Sequence, residues 1–256
     1  MKELDDWSLT TFSAGDETRE VYRKDPPGGG RTGVIVLHEI PGIQPVLVDF
    51  ANELVDHGHI VLLPRLFGTP GAGYSLPNVA GDLWQFCVRR EFAILARGRT
   101  SPVAGWLRAL ARDLHEELGG EGVGVIGMCF TGGFALAMMA DAPVIAPVVA
   151  EPSLPAAVGL PRGARLRGAD LGLSPDDLRA VKSSSTQVLG LRYRCDPAVG
   201  SRWETLEREL GGRFFAVDFD GKGHSVLTRD RQQAGVDRVI AFLDEKLLAG
   251  ASRPVE

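Results

Sequence analysis

The stretch Gly124–Ala137, GVIGMCFTGGFALA, joins an apolar run of strand length to a small-residue helix start through a cysteine set among glycines. The pattern predicts a buried strand, a sharp turn at Cys129 and a helix over Thr131–Met139. Gly127 precedes the cysteine by two residues, and Gly132, Gly133 and Ala135 leave room for close helix packing. A side chain on such a turn stands above the carboxyl edge of the sheet. The amides that follow it, at a positive helix end, can hold an oxyanion or a thiolate. The same stretch also fits an inert thiol, because unreactive cysteines pack as small hydrophobes. A thiol of ordinary pKa, about 8.5, is mostly protonated at neutral pH, so a reactive Cys129 needs a base or a cationic neighbour.

Outward from this turn, apolar runs of strand length recur: GVIVLHEI (33–40), HIVLLPRLF (59–67), PVIAPVVAE (143–151), TQVLGLRYRCD (186–196) and RFFAVDFDG (213–221). Near-continuous Val, Ile and Leu marks strands buried on both faces, as in a parallel sheet covered by helices. Helix patterns alternate with them over 46–56, 78–96, 102–118, 175–183, 201–210 and 234–249. In the last, Val236, Val239, Ile240, Leu243 and Leu247 recur at helical spacing. The expected fold class is therefore α/β, a predominantly parallel sheet flanked by helices on both faces. WSLTTFSAG and TREVYRK precede it as two short strands, a candidate antiparallel edge within residues 7–23. No linker or internal repeat divides the chain, and one domain over 1–256 is expected.

Composition narrows the function classes. A hydrophobic share of 44% with 24% charged residues is that of an ordinary soluble globular protein. The start, MKELDDWSLTTF, lacks a basic segment followed by an apolar core, and a cytoplasmic location without membrane attachment is expected. Net charge is −5 with no concentrated basic run, which gives no electrostatic reason for a nucleic-acid partner. Three cysteines, Cys87, Cys129 and Cys195, lack metal-ligand spacing, so neither a disulfide framework nor a metal site is expected.

A base for Cys129 lies downstream. His224, in the glycine-bracketed loop of FDGKGHSVLT, follows the last apolar strand and is the only histidine C-terminal to the cysteine. From there an imidazole can reach across the top of the sheet. An acid must orient it. Asp196 ends the run VLGLRYRCD at the same carboxyl edge, with Pro197 stopping the strand. Asp218 and Asp220 compete, but they sit in the strand just before His224, and Asp196 is preferred. Nucleophile, acid, histidine is the chain order of an α/β-hydrolase. Upstream, VIVLHEIPGI ends a buried strand in His38 and Glu39. The loop after this strand is placed to supply one oxyanion-hole N–H, from Ile40, with the second from Phe130. A carboxylate directly before such a donor opposes the charge developing there, so Glu39 calls for a reason.

Together, LHEIPGI, GMCFTGGFALA, Asp196 and GHS resemble the dienelactone hydrolase family, a branch of the α/β-hydrolase superfamily that includes the carboxymethylenebutenolidases. The likeness runs from about Gly33 to the final helix. It implies a Cys129, His224 and Asp196 triad with Glu39 as a fourth member that holds the resting thiol and takes its proton when substrate binds. It also implies hydrolysis of small lactones or esters through a covalent thioester, without a cofactor or metal.

Two departures stand out. Thr131 puts a branched side chain where the family pattern has the first of two glycines, in a turn that leaves little room. Thr228 stands where dienelactone-cleaving members carry an arginine that clamps the substrate carboxylate. Arg229, Arg89 or Arg90 are the candidate cationic contacts, with Trp84 as an apolar wall and Ser225 beside the histidine. Dienelactone itself is therefore not assigned. The alternatives are a noncatalytic ligand-binding protein of the same fold, a thioesterase and another carboxylesterase. A monomer or a homodimer is expected.

Overall fold

The computed structural model describes residues 2–71, 101–140, 143–153 and 168–248, together with 163 and 166. Trp84, Cys87, Arg89, Arg90 and the helix expected over 78–96 lie outside the described residues.

Eight strands form one sheet: β1 (Ser8–Ala14), β2 (Glu17–Lys24), β3 (Thr32–Leu37), β4 (His59–Pro64), β5 (Val123–Met128), β6 (Val144–Ala150), β7 (Val188–Tyr193) and β8 (Phe214–Phe219). Their spatial order is β1-β2-β4-β3-β5-β6-β7-β8. The strands from β4 to β8 run parallel, while β1 pairs antiparallel with β2 and β2 antiparallel with β4. β3, β4 and β5 are buried at every position, as continuous apolar runs require when helices cover both faces.

Among the described residues six helices provide that cover: α1 (Pro45–Asp56), α2 (Pro102–Leu118), α3 (Gly132–Met138), α4 (Pro175–Ser183), α5 (Arg202–Leu210) and α6 (Gln233–Leu247). Strand alternation divides the core between the faces. Ile35, Leu37 and Val125 pack with Trp106, Leu107, Phe134 and Trp203 from α2, α3 and α5. Val34, Val36, Ile126 and Met128 pack with Phe50, Leu54, Val239 and Phe242 from α1 and α6. The helix starts follow local chemistry: α2 and α4 begin with Pro at the first turn, and Ser101 and Ser174 accept hydrogen bonds from Ala104 N and Asp177 N.

The fold class read from the sequence is the observed one. The helix start at Thr131 differs in detail, because Cys129–Thr131 form a 3-10 turn and α3 begins at Gly132. The reason is the cysteine's own conformation, described next.

Candidate active site

The carboxyl ends of β3, β5, β6, β7 and β8 come together at one edge, and each contributes to the site. After β5, Cys129 has φ 51°, the left-handed region that branched and ordinary side chains avoid. Two features hold it there. The Thr131 hydroxyl accepts from Met128 N at 3.0 Å and lies 3.1 Å from the Leu37 carbonyl and 3.0 Å from that of Met128. It staples the Cys129 turn to its own strand and to the neighbouring β3. Gly127 makes the turn possible, since a Cβ there would stand 2.5 Å from the Thr131 carbonyl oxygen. The branched residue that looked too bulky is fully buried and fastens the turn.

After β7, the chain turns through Cys195 and Asp196. The Asp196 Oδ1 accepts from Ala198 N at 2.9 Å, and Oδ2 is 2.6 Å from His224 Nδ1. Asp218 instead pairs with Arg192 at 2.6 Å, and Asp220 with Arg194 at 3.4 Å. Of the three competing acids, the structure brings Asp196 to the histidine. The loop after β8 is set by Gly223, where a Cβ would meet the Tyr193 ring at 2.5 Å, and by Asp230, whose Oδ2 accepts from His224 N at 2.8 Å and Ser225 N at 3.3 Å. Burial alone would lower the His224 pKa. The hydrogen bonds to Asp196 and Cys129, with the charge of a Cys129 thiolate, outweigh it and raise the value to about 11.

After β3, Glu39 is half-buried and held from the far end of the chain. Ser225 Oγ donates to its Oε2 at 2.7 Å and Thr228 Oγ1 to its Oε1 at 2.5 Å. Ligating atoms of Glu39, Cys129 and His224 all lie within 4.8 Å of one another. Thiol, imidazole and carboxylate are also a possible donor set for a soft divalent metal. His38 lies behind Glu39, fully buried: its Nδ1–H donates to the Glu39 carbonyl at 3.1 Å and its Nε2 accepts from Leu66 N at 3.0 Å. Burial lowers its pKa to about 4, so it is neutral and structural. Its ring meets Phe67 edge-on, and Phe67 in turn meets Phe130.

Several residues of the site had no role in the sequence reading. Ser153 Oγ lies 3.2 Å from Cys129 Sγ, and Glu151 is fully buried beside the same centre. Arg202, also buried, donates to the carbonyls of Pro152, Val199 and Asp170 and so ties the loop after β6 to α5. The visible signal for the first two was PVVAEPS, an apolar strand that ends in an acid and a hydroxyl at the same carboxyl edge. Of the proposed substrate contacts, Ser225 is buried with its hydroxyl on Glu39, and Arg229 is exposed. Ile40 and Phe130, the expected oxyanion donors, follow Glu39 and Cys129 in adjacent parallel strands' loops and belong to one packed cluster.

A family model for the dienelactone hydrolases matches residues 20–158, a span that includes Glu39 and Cys129. The chain belongs to the dienelactone hydrolase family. Membership places it among the hydrolases of carboxylic esters and lactones. No curated protein matches it. Among solved structures, a Klebsiella pneumoniae protein described as a dienelactone hydrolase superposes with a TM-score of 0.69 at 19% identity, over 93% of this chain and 98% of that one. The 2,6-dihydroxy-pseudo-oxynicotine hydrolase gives 0.66 at 16% identity, over 97% and 70%. A cold-adapted esterase from an Arctic intertidal metagenomic library gives 0.63 at 17%, over 93% of each chain. At such identities these neighbours speak for the fold. Among the described residues no helix is long and apolar enough to cross a membrane.

Proposed function

We propose that this dienelactone hydrolase family member cleaves small lactones or esters with Cys129 as nucleophile, through a covalent thioester. The reading rests on one observation above all. A thiol on a left-handed turn has a carboxylate and an imidazole with ligating atoms within 4.8 Å, and the imidazole is backed by an acid at 2.6 Å.

The steps follow from what each group can hold. Glu39 takes the thiol proton, and the Cys129 thiolate stands beside the His224 imidazolium, whose raised pKa keeps its proton at neutral pH. The thiolate attacks the substrate carbonyl, and the amides of Ile40 and Phe130 receive the oxyanion. The C–O bond breaks, and His224 gives its proton to the departing oxygen. The neutral imidazole, oriented by Asp196, then takes a proton from water as that water attacks the thioester. The thiolate leaves, the acid product is released, and the proton on Glu39 returns to Cys129. Each residue ends as it began, and one water is consumed.

Thr228, where a carboxylate-clamping arginine would stand, instead fixes Glu39. The substrate's charge must then be met elsewhere, by Arg89, Arg90 or Arg229, or be absent, which favours uncharged esters and lactones. Intact-mass measurement after incubation with a panel of aryl acetates and lactones tests the reading. An acyl adduct confined to Cys129 is expected, and turnover that persists in Cys129→Ala would overturn it.

A further inference from the structure

Glu151 ends β6 in a conformation and an environment that a glutamate would not adopt by default. Its backbone is left-handed, at φ 36°, and its side chain is fully buried. One carboxyl oxygen, Oε2, accepts from Val226 N at 3.3 Å; among the described residues Oε1 has no hydrogen-bond partner. A buried carboxylate with an orphan oxygen costs several kcal/mol unless the group is neutral or paired. Among the described residues no salt bridge reaches it. The charged groups that act on it are Glu39, His224 and Cys129; Glu39 and Cys129 repel a further negative charge, and the pull of His224 in the other direction is outweighed by burial and Glu39. Two carboxyl groups that feel one another in a buried site share protons unequally, and the more deeply buried one keeps its proton. Burial, followed by the repulsion of Glu39, accordingly raises the Glu151 pKa well above the carboxylate range.

The contacts also show what the acid can do. Val226, whose amide it receives, follows Ser225, which holds Glu39, and lies two residues after His224. Two residues beyond Glu151, Ser153 touches Cys129 through both its amide and its hydroxyl, at 3.0 and 3.2 Å. We propose that Glu151 is an uncharged positioning residue of the hydrolase centre, a protonated carboxylic acid that props the 224–228 segment and thereby the placement of His224 and Glu39 around Cys129. A neutral acid suits this place, since it fills the space and takes the Val226 amide without a second negative charge behind the thiolate.

The proposal rests on the hydrolase reading for its effect on rate, and its test therefore pairs a kinetic readout with a spectroscopic one. Infrared difference spectra of the wild type against Glu151→Gln at neutral pH are expected to show the C=O band of a protonated carboxylic acid. A carboxylate band in its place would overturn the proposal, whatever the enzyme hydrolyses. On an ester found to be turned over, Glu151→Gln should keep kcat within about threefold, while Glu151→Ala, which leaves the Val226 amide unsatisfied, should lose about tenfold or more in kcat with KM little changed. Equal losses in both variants, or no loss in the alanine variant, would also overturn it. Because alanine opens a cavity and can impair folding, the glutamine variant and its infrared band decide the matter alone if the alanine variant is not recovered. Absence of hydrolysis in the wild type would break the functional reading and leave the infrared result standing.

Discussion

Two turns at the carboxyl ends of the neighbouring strands β5 and β6 place a non-glycine residue in left-handed backbone, Cys129 at φ 51° and Glu151 at φ 36°. Such a conformation costs of order 1–3 kcal/mol and persists where the surroundings over-determine it. The two turns meet that cost differently. Around Cys129 most supports are local in sequence, with Thr131 bound to Met128 and Gly127 clearing the path of the turn, and one bond reaches across to Leu37. Around Glu151 they come from far along the chain: Leu191 O accepts its amide at 2.8 Å, Arg202 holds Pro152, and Val226 binds its carboxyl. One turn presents a thiol half-buried; the other encloses an acid completely. The turn at Cys129 is thus readable in the sequence as a turn, because the glycines that shape it are neighbours, whereas the supports of the Glu151 turn are spread along the chain.

The largest expected effect tests what the first turn presents. Cys129→Ala should lower kcat on any ester or lactone substrate by about a thousandfold or more, measured under saturating substrate. A smaller loss would make the strained thiol an ornament of the fold. Next come the local supports. Gly127→Ala drives a methyl to within 2.5 Å of the Thr131 carbonyl and should cost about 2–3 kcal/mol in urea unfolding. An unchanged midpoint would show that the turn relaxes freely. Thr131→Val keeps the shape but leaves Met128 N without its side-chain acceptor and removes the donor to β3. It should cost about 1–2 kcal/mol and reduce turnover, whereas Thr131→Ser should recover most of both.

The smallest effect concerns pH, and here both turns act in the same direction. His224 has its pKa raised from about 6.5 to about 11, so its contribution to stability is fully present below about pH 6.5 and is lost as pH rises towards 11. Glu151, also raised, favours the folded state in its protonated form, and its contribution is lost as pH rises above the ordinary carboxylate value of about 4.5. Stability from urea unfolding should therefore fall between pH 7 and 11. Asp196→Asn, which removes the carboxylate at Nδ1, should flatten that slope. A wild-type stability that rises over this range would contradict the arrangement of charges around the cysteine.

Much of the site was legible because hydrophobic runs mark where buried strands end, and parallel strands end at one edge. Glu39, Cys129, Asp196 and His224 each follow such a run, so topology alone brings them to the same side of the sheet. The choice of Asp196 over Asp218 and Asp220 also came from this edge rule, because a residue within β8 reaches back to β7, as Asp218 does to Arg192. Thr131 was misleading. Its branching suggested a loose turn, and its hydroxyl bonds across to Leu37, 94 residues earlier, were invisible locally. Ser225 was read as a substrate contact and Thr228 as the place of a missing arginine clamp; the partner of both is Glu39, 186 and 189 residues away.

By itself, then, the sequence determined the α/β class and that Glu39, Cys129, Asp196 and His224 each follow a strand at one edge of the sheet, since these depend on apolar periodicity and on short-range turn chemistry. Only the tertiary structure decided which hydroxyls hold Glu39, that Thr131 fastens the Cys129 turn, and that Glu151 and Ser153 stand behind Cys129. Those are pairings between loops far apart in the chain, and they exist only after the sheet has closed their separation and water has been excluded from between them.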